Sequence, residues 1–161
     1  MTGPLVDEAA KKAGIAWVSI DGGPAFAVWC LTIDGAICVV TGQGEQDLPG
    51  LEVASTVFVT LRGDHGGAIV SYPVTVERIK PESDRWEVIA PQMASKRLNA
   101  SGTAEDLMAR WAKECALWAM SAAGEPAGLG ADDQRAEPRP STAVNATRMP
   151  FKLHKVRKPK K

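Results

Sequence analysis

The chain has 161 residues, 45 % of them hydrophobic, with 19 Lys and Arg against 19 Asp and Glu. That composition supports one domain with a buried core, and no apolar run approaches the roughly 20 residues a membrane helix needs. Three cysteines, an odd number, exclude a disulfide framework.

The first residues, "MTGPLVDEAAKKAG", lack the charged-then-apolar order of a secretion signal, so a cytoplasmic protein is expected. Within them, 4–13 reads as a short amphipathic helix. Pro4 suits its first turn, Asp7 and Glu8 lie early, Lys11 and Lys12 lie late, and Gly14 ends it. A run of strands follows. "IAWVSI" (15–20) stops at "DGG", and 24–33 and 36–41 flank Asp34-Gly35, a two-residue hairpin turn. Next comes "VVTGQGEQDLPGL" (39–51), a strand running into a glycine loop and then a helix start, expected at 48–55. Free backbone N–H groups converge in such a geometry, which is how phosphates are cradled.

The segment 56–62 alternates, with Val57, Val59 and Leu61 on one face. After the turn "GDHGG" (63–67), 68–79 alternates again, with Val70, Tyr72, Val74 and Val76 together. Pro73 cannot donate to a ladder, so it marks an edge or a bulge. A helix is expected over about 83–98, broken or restarted at Pro91. A second begins at Thr103, whose side chain pairs with Asp106 in a capping box. "CALWAMS" (115–121) either extends that helix or forms a last strand, and periodicity does not choose between them.

Past Ala123 the composition turns to Gly, Pro, Ala and charge, too poor in large apolar groups to offset ordering entropy. The expected organisation is therefore a domain over 1–123 and a disordered tail over 124–161. Seven of the 19 basic residues lie between Arg148 and Lys161, where no acid occurs, leaving 12 basic against 19 acidic elsewhere. This basic end suits weak contact with a polyanion or a protein partner, or simply solubilises an acidic body.

Five strands joined by tight turns, with few and late helices, point to a mainly β (α+β) fold, a small antiparallel barrel or sandwich. The hairpin register sets Leu31 opposite Cys38 and Cys30 opposite Val39. The two thiols then face opposite sides of the sheet and do not pair. No Cys/His spacing suggests zinc. No nucleophile–base pair, GxSxG or Walker-type lysine is present, which leaves hydrolase and kinase chemistry without residues.

The order of elements resembles the pyridoxamine 5′-phosphate oxidase-like, FMN-binding split-barrel family. The residues that carry the likeness are the early strand ending in a glycine turn, Val28-Trp29, the "DGA" hairpin, "VTG" at 40–42, the short helix and the strand after it. The likeness covers residues 4 to about 80 well and to about 120 loosely. It implies a split β-barrel with flanking helices and a homodimer. A flavin or deazaflavin would lie in a groove at the dimer interface and act on a small molecule. The cofactor would carry the hydride chemistry, the protein supplying orientation and electrostatics.

Residues at the implied groove are Trp29, Thr41, Gln43, Gly44 and Gln46, with Arg62, Lys96 and Arg97 as sources of positive charge. Many members of that family place a Ser-Arg-Lys-like run on the cofactor phosphate. This chain has Glu45, Gln46 and Asp47 there. Each carboxylate opposes a phosphate by on the order of 1 kcal/mol at ~4 Å in water, and by more if buried. A second expectation is therefore a non-catalytic split barrel that has lost FMN. His65, among three glycines, reads either as a solvated turn residue or as an exposed ligand, since split barrels include haem-degrading relatives with a histidine on iron. "SKRLNA" (95–100) reads either as a reach toward an anionic ligand or as a helix C-terminus favouring cations.

Overall fold

The computed structural model describes residues 4–63, 68–97 and 100–126. His65, Asn99 and the basic end of the tail lie outside them. Along the chain the elements are α1 (Pro4–Lys12), β1 (Ile15–Ile20), β2 (Ala25–Trp29), β3 (Leu31–Ile33), β4 (Ala36–Gly42), a 3₁₀ turn (Leu51–Val53), β5 (Val57–Arg62), β6 (Ala68–Ile79), α2 (Asp84–Lys96), α3 (Ala104–Glu114) and β7 (Cys115–Ala122).

The strands form one seven-stranded sheet in the order β2-β1-β5-β6-β7-β4-β3, antiparallel throughout. Its two outermost strands, β2 and β3, are separated in sequence by Cys30 alone. The chain thereby ties one end of the sheet to the other, and the sheet curls into a split barrel. A single strand over 24–33 was the sequence expectation. It divides because its first half pairs with β1 and its second with β4, so the chain must change partner at Cys30. The hairpin turn is as expected: Asp34 and Gly35 both have positive φ (49° and 78°), and Leu31 lies opposite Cys38.

Alternation sorts the strands onto two cores. Val18, Val28, Val39, Val59, Val70, Tyr72 and Met120 point into the barrel, where Val6 and Ala10 of α1 join them. On the opposite face of β4 and β7, Cys38, Val40, Leu117 and Ala119 meet Ile89 and Met93 of α2 and Leu107 and Trp111 of α3. Those helical residues recur at i, i+4, so each helix buries one stripe. Cys30 and Cys38 fall in different cores, which explains why both are free.

Pro73 occupies a central strand, yet a local edge. β6 and β7 pair only from Val74 opposite Ala122 onward, and the Pro73 carbonyl accepts from Ala123 N at 2.9 Å just past that ladder. The missing N–H falls where no β7 partner waits. Pro91 does not break α2, contrary to expectation. It and Glu87, whose carbonyl loses its donor, are both exposed, so the lost bond falls on the solvent side of the helix. The helix expected over 48–55 is only the single 3₁₀ turn. The segment 115–121, left open by the sequence, is strand β7. The capping box of Thr103 and Asp106 forms as expected.

Candidate functional site

The glycine loop begins where β4 ends. Gly42 has φ 132°, and a Cβ on it would lie 2.8 Å from both Cys115 Cα and Glu114 O. Only glycine lets the end of β4 sit against the junction of α3 and β7. Glu45 N donates to Gly42 O at 3.0 Å, and Thr41 bridges Gln46. The loop folds back on itself and sends its next side chains in two directions.

Glu45 turns inward. Its side chain is 4 % exposed and accepts three hydrogen bonds: from Arg97 Nη2 at 2.8 Å, Arg110 Nη2 at 2.5 Å and Trp111 Nε1 at 2.9 Å. Arg110 also donates through Nη1 to Gln43 O at 2.6 Å. The Arg97 guanidinium lies 5.1 Å from the centre of the Trp29 ring, within reach of a cation–π attraction. The carboxylate that would repel a phosphate is instead enclosed by two cations and an indole.

Gln46 turns toward the barrel's edge. Its side-chain oxygen accepts from Trp29 N, and its Nε2 donates to Ala27 O at 3.3 Å. It clasps the free main chain of β2, an edge strand. Thr41 Oγ1 accepts from Trp118 Nε1 at 2.9 Å. Trp29, Thr41, Gln43, Gly44, Gln46 and Arg97 are thus gathered around one loop. Lys96 is exposed in the last turn of α2. Arg62 lies apart from the loop, on the outer face of β5, 4.8 Å over the ring of Trp17. Sequence reasoning singled out neither Arg110, Trp111 nor Trp17. The one signal for the first two is their adjacency in α3, where Arg110 borders the buried stripe that holds Trp111.

The outer face of β2, β1 and β5 is a second feature. Ile15 faces Trp29, Trp17 faces Ala27 and Thr60, and Ser19 faces Ala25 and Phe58. Opposed residues of antiparallel strands share a face. Ile15 is 55 % and Phe58 37 % exposed, and Trp17 is half-buried. The helices α2 and α3 pack on β4 and β7, leaving this side to solvent among the described residues.

The thiols are not poised for chemistry. Burial pushes Cys30 up to about 12 and Cys38 up to about 11. Half-buried Cys115 is also raised, mainly by desolvation, although Arg110 nearby opposes this. Among the described residues, no group of three His, Cys, Asp or Glu side chains is placed to hold a metal, and no helix is long and apolar enough to cross a membrane.

No protein-family model and no curated protein matches this sequence. Among solved structures, HutZ, the heme storage protein from Vibrio cholerae, is similar with a TM-score of 0.56 at 12 % identity, over 78 % of this chain and 94 % of that one. An FAD-binding protein from Mesorhizobium loti gives a TM-score of 0.48 at 11 % identity, over 77 % of this chain and 91 % of that one. At such identities the likeness to HutZ is one of fold.

Proposed function

We propose that the protein is a split barrel that binds a flavin-type cofactor, FMN or a deazaflavin, on the outer face of β2, β1 and β5. It does so as a homodimer, in the cytoplasm, and serves oxidoreductase chemistry on a small molecule. The observation that carries this reading is the partly exposed apolar face of Ile15, Trp17 and Phe58, with Arg62 over Trp17 and Trp29 at its margin. Apolar and aromatic surface edged by cations suits a planar conjugated ring. HutZ, which has the same fold, is a heme storage protein, and that supports a planar ligand on this architecture.

The ring end of a flavin fits these residues. Its phosphate does not fit the glycine loop while Glu45 fills the space between Arg97 and Arg110. A second reading, a binding protein without catalysis, is favoured by that observation.

Titration of the purified protein with FMN and with a deazaflavin, followed by visible absorbance and fluorescence, tests both. Binding of either below ~100 μM, roughly −5.5 kcal/mol, supports the cofactor reading. Failure of both sinks it. Reduction of the bound cofactor by a nicotinamide donor separates an oxidoreductase from a carrier.

A further inference from the structure

We infer that Arg97, Arg110 and the Trp111 indole form a ready-made anion-binding site, which the chain closes with its own Glu45 and which a small oxyanion such as phosphate occupies when that carboxylate leaves. The inference rests on the loop's geometry alone, so it stands or falls independently of what binds the outer face.

The three donors do not depend on Glu45 for their positions. Trp111 is fully buried in the core beneath α3, which fixes its Nε1. Arg110 is held by the Gln43 carbonyl as well as by Glu45. Arg97 follows α2 directly and stacks near Trp29. They come from two helices and converge on one point. Two guanidiniums present forked N–H donors that match carboxylate and phosphate oxygens equally well.

The charges do not balance with Glu45 alone. Two cations face one carboxylate, whereas a phosphate near neutral pH carries close to two negative charges. The occupant is a side chain of an exposed loop whose flanks, Gln43 and Gln46, have anchors of their own. Gly44 and Gln46 on either side of Glu45 are exposed, and Gly44 has φ 76° with Arg110 Nη1 2.9 Å from where its Cβ would be. Withdrawal of the Glu45 side chain alone, with Gln43 still bonded to Arg110, removes the carboxylate and leaves the donors in place. Glu45 then acts as a tethered competitor, and the loop binds phosphate weakly in its native form and well without that side chain.

The test uses the full chain with Glu45→Ala and, as its isosteric companion, Glu45→Gln. Melting temperature and the Trp111 indole N–H resonance are followed in chloride, acetate and inorganic phosphate at equal ionic strength. In chloride the variants melt several degrees below the native protein. Phosphate, and more weakly acetate, restores the loss with saturation and shifts the indole resonance. The native protein responds only at much higher phosphate. Adding Arg97→Gln and Arg110→Gln to Glu45→Ala abolishes the response. The proposal is overturned if neither single variant responds to phosphate or acetate more than to chloride. It is equally overturned if the response survives loss of both arginines, or if neither variant folds even in phosphate.

Discussion

At the residue scale, Gly42 and Glu45 determine how the loop meets the helices. A methyl group at Gly42 has nowhere to go, because its nearest atoms are backbone rather than flexible side chain. Gly42→Ala also imposes a side chain at φ 132°. We expect it to cost about 3 kcal/mol, at the upper end of ordinary point substitutions, read as a lower urea midpoint with an unchanged slope. The cysteines give a second expectation. In native protein at pH 8, an aromatic disulfide reagent should modify Cys115 and spare Cys30 and Cys38, which react only on unfolding. Since burial raises both buried thiols, unfolded chains ionise above about pH 8.5 while the native ones stay protonated. Stability should then decline from that pH upward toward the native values. Equal native reactivity of all three thiols contradicts this. Glu45 was legible in the sequence as an anomaly in a glycine loop. What satisfies it was not, because Arg97 and Arg110 lie 52 and 65 positions away and only the packing of α2 and α3 against β4 and β7 brings them in.

At the scale of elements, most strands were legible because period-two alternation reflects burial on one face. β1 and β6 fall on their expected residues. The failures have physical causes. The 24–33 run is apolar across the point where it changes partner, so nothing in its composition marks Cys30 as a break. β7 is apolar on both faces because it lies between two cores, and such a run carries no period. The turn after β1 offers a test of how elements are tied together. Asp21, at φ 46°, accepts from Ser55 N at 2.9 Å and from Thr56 N at 2.8 Å, fastening the end of β1 to the start of β5. The Thr56 backbone hydrogen bond leads in holding its carboxyl below the usual value. A depressed carboxylate stabilises above the unfolded pKa of about 3.9, and that contribution disappears as pH falls through the lower native value. Asn tolerates the same left-handed backbone, so Asp21→Asn removes charge with little strain. The native protein should melt above the variant at pH 7, and the gap should close toward pH 2. A gap that does not change with pH would mean that the charge contributes nothing.

At the scale of the whole molecule, the barrel has one side sealed by α2 and α3, its interior filled by strand side chains with Val6 and Ala10 of α1, and one side left partly open with Ile15 and Phe58 exposed. An aromatic and aliphatic sheet face flanked by an edge strand is costly to leave in water and invites either pairing or ligand. The proposed homodimer covers it, and burying about 800 Å² per partner is what a stable pair of this kind requires. Ile15→Glu with Phe58→Glu places a carboxylate at each end of that face. Both positions are solvent-accessible in the single chain, so folding should survive while association does not. Light scattering at micromolar concentration should give the native protein twice the monomer mass and the double variant the monomer mass. Val88→Glu, on α2 and 51 % exposed, places the same charge away from this face and should leave the mass unchanged. If the native chain is already monomeric, the open face is no dimer surface. If Val88→Glu dissociates the dimer while the double variant keeps it, the helices rather than the open face form the interface. Loss of flavin affinity in the same variant places cofactor and partner on one face, since both substitutions lie where the ring is proposed to bind; flavin affinity kept by a monomeric variant separates the two surfaces.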